Sequence, residues 1–340
     1  MIRRLLVLTG DHDAPDPTKR GGAYHEEDLA THAAMAKAMT AMSDFDVEVV
    51  SRHDGLLDRL RADPPDLVVN FCDTGFFNVP TQELHVAAYL ELFGIPYTGA
   101  PPAAMVLCYD KQAVRVIAEA MGVPVPWERM VPGDGPAEPP EDLTYPALIK
   151  PNRADGSVGI TKDAVVHSAG AARDYLAFLR DLLPGADALI QEYLPGPEYG
   201  LGVIGNPEPG LTVLPPLEVD FSRLPAGLAP ILSFESKAMP DSPYWTDIAF
   251  KRADLRAEEV EIMAGAVRRL FRRFGLRDYA RFDFRRGADG RVKLMEVNPN
   301  PAWANDGKLA FMAGFAGIAY PAMLRMIVDA AIERLGRPAA

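Results

Sequence analysis

Apolar and polar positions along the chain follow two periods, and the changes of period mark the elements. "LLVL" (5–8) reads as a short buried strand. Residues 28–42 carry helical spacing, with Leu29, Ala33, Ala36 and Met39 on one side. Residues 47–50 form a second strand. "DLVVNF" (66–71) is a third, apolar nearly throughout, as a parallel strand covered on both faces should be. A helix over 81–93 ends at Gly94. Strand, helix, strand, helix predict an α/β unit over residues 1–100, built as a doubly wound parallel sheet.

The pattern changes beyond Pro101. Asp110 caps a helix that runs through Met121, and Gly122 closes it in a left-handed cap. "VPGDGPAEPPED" is a surface loop, "YPALIKP" a strand and "RADGSVGI" a glycine-containing turn. A helix over 168–183 leads to the strand "ALIQEYL", stopped by Pro195-Gly196-Pro197. These elements predict a central unit, 101–192. The unit 193–340 then holds strands near 199–204 and 214–220, a long helix over 257–274, a hairpin over 280–297 and a last helix through Arg334. Internal repeats and low-complexity tracts are absent from the sequence.

The 340 residues, 48% of them hydrophobic, suffice for two or three domains. No stretch approaches the roughly 18 uninterrupted apolar residues of a membrane span. The opening "MIRRLLVLTGDHD" is too briefly apolar for a signal peptide. Two cysteines, Cys72 and Cys108, make no disulfide framework, which points to a reducing cytoplasm. A net charge of −12 disfavours nucleic acid unless cations gather locally. The basic run "VRRLFRRFG" reads as a solvated helix face, with Val267, Leu270, Phe271 and Phe274 opposite Arg268, Arg269, Arg272 and Arg273.

Three constellations carry candidate chemistry. In "ARFDFRRGADGRVKLMEVN" two strands flank a Gly-Ala-Asp-Gly turn. With Gly287 facing Gly290, Asp283 faces Leu294 and Arg281 faces Glu296. Alternation then puts Arg281, Asp283, Glu296 and Asn298 on one face, with the two acids diagonal at roughly 7–8 Å. Hard oxygens without His or Cys suit Mg²⁺. Taken alone, the face reads more simply as a solvated surface with an Arg281–Glu296 pair. Lys150 ends "ALIK", and Asp155-Gly156-Ser157-Val158-Gly159 follows. A lysine beside glycines whose N–H groups approach an anion resembles a phosphate site in kind, and equally fits an ordinary turn. In "ALIQEYLPGPE", Gln191, Glu192, Tyr193 and Leu194 offer an extended edge for adenine, and Glu198 an acceptor for ribose hydroxyls. The same string also fits an interior strand meeting a Pro-Gly turn.

In this order, the pieces resemble the D-alanine–D-alanine ligase branch of the ATP-grasp superfamily over nearly the whole chain. "FGIPYTGAPPAAMVLCYDK" is similar to the family's link between its first two domains, ending in a phosphate-binding lysine, Lys111. "IKPNRADGSVGITK" resembles its lysine and glycine-rich loop (Lys150, Gly156, Ser157), "FESK" the segment of another phosphate-contacting lysine, Lys237, and "RFDFRRGADGRVKLMEVNPNP" its arginine and metal-ligand hairpin. The resemblance implies an ATP-grasp fold behind the N-terminal parallel-sheet domain. It also implies ATP, two Mg²⁺ ions (Mn²⁺ as an alternative) and a homodimer. The implied chemistry passes the γ-phosphoryl of ATP to a carboxylate and lets an amine attack the acylphosphate. Arg281, Lys237 and Ser157 form the implied catalytic set, and Asp283, Glu296 and Asn298 the metal ligands.

Away from the nucleotide the pattern departs. "TGDHDAPDPTKRGGAYHEED" replaces a Gly-Gly-x-Ser-x-Glu element, leaving Glu26 or Glu27 as candidates for its acid. Ala238 stands where the family has tyrosine. "NPNPAWANDGK" lacks a glycine, at Ala302, and a later serine, and "NFCDTGFFNVPTQE" replaces a His-Gly motif. A rebuilt pocket points to a carboxylate–amine ligase for amino-acid-like substrates other than two D-alanines. Asp73, Asn78, Trp303, Asn305 and Asp306 are candidate acceptor-pocket residues. The alternatives are a D-alanine–D-alanine ligase proper, or a phosphotransferase or nucleotide-binding regulator without ligation. A nicotinamide dehydrogenase is disfavoured, because no Gly-x-Gly-x-x-Gly follows the first strand. Cys72 reads as a buried small residue, with no paired histidine evident.

Overall fold

A computed structural model describes residues 2–17, 19–154 and 156–336 of the chain. The first stretch alternates β1 (Arg4–Leu8), α1 (Glu26–Thr40), β2 (Asp46–Val50), α2 (Leu56–Ala62), β3 (Leu67–Asn70) and α3 (Glu83–Leu92). Its strands form a parallel sheet in the order β2-β1-β3, extended by a parallel bridge from Val68 to Tyr97. β3 is buried along its whole length, which explains its unbroken apolar run. The buried side of α1 is Met35, Ala38 and Met39, while Leu29 is exposed. Only the C-terminal half of α1 reaches a core; its first turns border a cleft.

α4 (Pro102–Tyr109) and α5 (Lys111–Ala120) follow, and Asp110 Oδ1 accepts the Ala113 N–H at 2.9 Å as the N-cap of α5. The sequence reading misses α4, which starts on a proline at its first position, where no amide hydrogen is needed. β4 (Glu128–Val131), β5 (Ala147–Pro151), β6 (Val165–Val166), α6 (Ala169–Leu182) and β7 (Ala188–Glu192) build a four-stranded antiparallel sheet, β4-β7-β5-β6, with α6 against it. Ser168 caps α6 by accepting the Ala171 N–H at 3.2 Å.

The remaining elements are β8 (Glu198–Asn206), β9 (Gly210–Val213), β10 (Leu217–Asp220), α7 (Glu235–Ala238), α8 (Pro243–Thr246), β11 (Ala249–Arg252), α9 (Ala257–Phe274), β12 (Tyr279–Arg286), β13 (Val292–Asn298), α10 (Lys308–Phe315) and α11 (Tyr320–Leu335). Their strands form a second antiparallel sheet, β11-β10-β8-β12-β13, with β9 also on β8. α9 has the bounds its apolar spacing predicts; it buries Val267, Leu270, Phe271 and Phe274 and leaves its arginines in solvent. One face of this sheet shares a core with α4, α5 and α9, and the other with α10 and α11. α11 also packs on α1, tying the last helix to the first sheet. No single helix among the described residues is long and apolar enough to cross a membrane. α10 and α11 pass that test only as a pair, bent by 102°, and their apolar residues lie in this core.

Candidate active site

The β12–β13 hairpin sets the first part of the site, with a register that differs from the expected one. Gly287 N–H donates to Arg291 O at 2.8 Å, so the turn closes one residue further along than a Gly287–Gly290 facing pair. Phe284 pairs with Leu294, and the register then shifts again, leaving Met295 unpaired as a bulge. Beyond it Asp283 lies opposite Glu296, and Arg281 opposite Asn298. Two one-residue shifts restore the parity that either alone would have reversed. The four side chains therefore meet, but the acids are direct cross-strand partners rather than diagonal ones.

Asp283 is 2% exposed. Arg281 donates to it from Nε (2.9 Å to Oδ1) and Nη2 (2.9 Å to Oδ2), and Asn298 Nδ2 lies 3.3 Å from Oδ2. The expected Arg281–Glu296 pairing is thus replaced by Arg281–Asp283. Lys308, the first residue of α10, brings Nζ to 3.9 Å from Asp283 and 3.6 Å from Glu198. Arg285 Nη1 donates to Glu198 at 3.3 Å. Burial would raise the Asp283 carboxyl, but Arg281 and Lys308 outweigh it and hold it below the usual carboxylate range. Among the described residues no group of three His, Cys, Asp or Glu side chains is arranged for a metal. Two carboxylates and an asparagine still fit Mg²⁺, which takes few protein ligands and completes its shell with phosphates and water.

The lysines come from the opposite wall. Lys150, in β5, is 4% exposed; burial, together with the charge of Lys111, lowers its ammonium to about 8. Lys111 opens α5 and donates from Nζ to Ala154 O at 2.6 Å. Asn152 locks the end of β5 to α5, accepting the Gln112 N–H at 3.0 Å and donating to Asp110 at 3.1 Å. In the glycine loop, Gly156 has φ 65° and lines the cleft, and Ser157 has φ 63° and donates to Leu232 O at 3.1 Å. Asp155 lies outside the described residues. Lys237 is the exposed residue of the short helix α7 and lines the same cleft.

Gln191, Glu192, Tyr193 and Leu194 line a narrow cleft between the two antiparallel sheets, with Leu148, Ile231, Arg285 and Met295. The Glu192 N–H donates to Trp127 O at 2.9 Å and its carboxylate pairs with Lys293 at 2.7 Å, so both of these groups are already engaged. Glu198 adjoins this cleft through Arg285.

A larger cleft of about 520 Å³ continues from Arg281 and Asn298 to the first sheet. Asp73, Trp303 and Asp306 line it; Asn78 and Asn305 do not. Asn78 is buried and occupied: its Oδ1 accepts the Asp11 N–H at 2.9 Å and its Nδ2 donates to Asp11 O at 2.6 Å, which makes it a clamp between two loops. Asn305 is exposed. Burial pushes the Asp73 carboxyl up to about 6. Of the two glutamates opening α1, Glu27 lines the cleft.

The sequence reading also misses Tyr24, His32 and Glu83 in the cleft lining. Burial, and the ring of His12 2.7 Å away, lower His32 to about 3. Asn300 donates to Glu83 at 2.7 Å. Cys72 has a histidine after all, His53 at 4.0 Å, but that ring is engaged by Thr9 O (2.8 Å) and the Phe77 N–H (2.7 Å). Burial holds the thiol well above its usual value. Arg285 was legible by alternation from Arg281 and Asp283. Lys308 had no periodic signal.

Residues 119–329 match the family model described as D-ala D-ala ligase C-terminus. The vancomycin B-type resistance protein VanB of Enterococcus faecalis is 31% identical over 73% of this chain and 69% of its own. A D-alanine–D-alanine ligase of Desulfotalea psychrophila is 27% identical over 92% and 94%. The fold is that of the D-alanine–D-alanine ligase from Bacillus anthracis complexed with ATP (TM-score 0.68, 19% identity, 98% of both chains). It is equally that of the VanG D-Ala:D-Ser ligase from Enterococcus faecalis (TM-score 0.71, 18% identity, 97% of this chain and 100% of that one).

Proposed function

The chain belongs to the D-alanine–D-alanine ligase family, and from that premise we propose that it joins a carboxylate to an amine at the expense of ATP, through an acylphosphate, on amino-acid-like substrates other than two D-alanines. The observation that carries this reading is that Lys150 interacts with both Lys111 and Glu296, that Glu296 and Asn298 stand opposite Asp283 and Arg281 in the hairpin, and that Arg281 and Asn298 open onto the cleft of about 520 Å³.

The chemistry must bring one anion to another. The terminal phosphoryl group moves to a substrate carboxylate oxygen as its bond to ADP breaks. The amine then attacks the acyl carbon, and inorganic phosphate leaves. Lys111 and Lys150 neutralise the phosphates, and Lys237, at the cleft mouth, approaches the transferred group. The backbone at Gly156 and Ser157 covers the phosphates. Tyr193 and Leu194 take the purine edge with the Glu192 carbonyl, since the Glu192 N–H and carboxylate are already bonded, and Glu198 takes the ribose. Arg281 keeps Asp283 ionised and presents its guanidinium to the oxyanion formed by amine attack. Asp283, Glu296 and Asn298 would hold Mg²⁺, two ions in this reading, which supply charge neutralisation between the phosphates. Asp73, with its raised pKa, is suited to receive a substrate ammonium near Trp303 and Asp306. Two buried thiols suit a reducing cytoplasm, and a homodimer is the expected assembly.

Substrate novelty rests on the cleft wall. Tyr24, Asp73 and Trp303 line it and fall in the three segments where the sequence departs from the family's motifs, and His32 lines it beside them. ADP release with paired donors and acceptors, D-alanine, D-serine and D-lactate included, tests the specificity by mass-resolved product. D-alanyl-D-alanine as the preferred product would refute it. Asp283→Asn and Glu296→Gln are expected to abolish turnover and leave the fold intact; wild-type turnover in either refutes the metal assignment.

A further inference from the structure

Lys308 belongs to none of the segments that carry the family resemblance to ATP-binding lysines. It opens α10, directly after the loop that leaves the metal face, and its side chain is 14% exposed. Its ammonium lies 3.6 Å from Glu198 and 3.9 Å from Asp283. Both distances lie within Coulomb reach and beyond hydrogen-bond length. Phe250 flanks the ammonium at 5.9 Å.

A counter-ion for those two acids is the simpler role, but each acid already has its own cation. Asp283 is held by Arg281 through contacts of 2.9 Å, and Glu198 accepts from Arg285 at 3.3 Å. Lys308 is a third cation facing two matched acids. Glu296, the remaining acid of this face, interacts with Lys150 on the opposite wall. A nearly buried ammonium that only shares two acids already paired with arginines, at 3.6 and 3.9 Å and with no hydrogen bond to either, has donors left for one more anion.

We propose that Lys308 binds the phosphate chain of the nucleotide as a further cation of the active site. The proposal rests on the nucleotide reading given above. When a divalent ion takes the Asp283 carboxylate, the attraction holding Lys308 there falls away, and its three N–H donors turn to phosphate oxygens between the ribose acid and the metal face. The residue would thus couple the acceptor loop, from which α10 starts, to the presence of ATP.

Equilibrium titration of wild type, Lys308→Met and Lys308→Arg with MgATP and with adenosine tests this. A charge-assisted contact of this kind predicts about 10- to 100-fold weaker MgATP binding in Lys308→Met. Adenosine affinity should stay unchanged, and arginine should recover most of the loss. Wild-type MgATP affinity in Lys308→Met overturns the proposal and leaves the ligase reading standing. Equal losses for MgATP and adenosine also overturn it, because Lys308 would then act only by holding Glu198. Amine-reactive labelling of the wild-type protein, read by mass spectrometry, needs no variant. Lys308 should be protected by MgATP and not by adenosine, and equal labelling in both refutes the assignment. Wild type that binds neither ligand overturns the nucleotide reading together with this one.

Discussion

Replacing Asp278 with alanine should be among the most damaging single changes outside the cleft. Asp278 is fully buried between α9 and β12, at φ 63°. Its carboxylate accepts from Arg334 Nε (2.9 Å) and Nη2 (2.8 Å), from Asn206 Nδ2 (3.0 Å) and from the Gly99 N–H (2.9 Å). One side chain thus ties the segment after the parallel sheet to the end of β8 and to the last helix. Alanine strands the Arg334 charge and leaves two further donors unmet. Breaking a buried pair from one side costs about 3–5 kcal/mol, and a left-handed backbone on a residue with no polar side chain adds about 1–2 kcal/mol. Asn tolerates that backbone and keeps one acceptor oxygen, so Asp278→Asn should lose roughly half as much. Urea unfolding midpoints, compared at equal slope, measure both. If Asp278→Ala lies within about 0.5 kcal/mol of wild type, the side chain is not the tie described here.

Lys150 gives a pH dependence. Its folded ammonium titrates near 8, while the unfolded lysine stays charged to about 10.5. Below pH 8 both states are charged and the group adds no pH dependence. Between pH 8 and about 10.5 the unfolded chain holds more protons, so this group makes the fold more stable as pH rises. Nucleotide affinity should move the opposite way, falling above pH 8 as the free protein loses that cation, and Lys150→Met should flatten the profile in an equilibrium titration. Gly75 lies at φ 89°, ψ 166°, a region essentially reserved for glycine, and a Cβ there would sit 2.0 Å from Val79 O. Gly75→Ala should therefore cost about 1–3 kcal/mol in thermal or urea unfolding, and a variant as stable as wild type would show that the turn readily rearranges.

What the sequence disclosed was local in origin. β3, α9, the cap at Asp110 and the helix beginning at Ser168 depend on neighbours within a few positions, and all appear where spacing predicts them. The acid pair was legible because alternation survives the register error. The bulge was not, because Leu294 directs its N–H to Pro124 O, a contact across 170 positions that no strand pattern records. Leu29 looked like core by helical spacing, yet its half of α1 borders the cleft. Asn78 looked like a free ligand, and it is occupied by a loop more than sixty positions earlier. Lys308 and the His53 near Cys72 likewise depend on partners far along the chain.

The unpaired Met295 makes the phase of β13 adjustable on one side only. Because the extra residue sits between the hairpin tip and the metal face, the tip can be rebuilt around any turn that keeps the outer rungs paired, and the acids stay aligned. Removing that single methionine would bring Glu296 directly behind the Phe284–Leu294 rung and still opposite Asp283, so the acids would keep their common face while the strand lost its local bend.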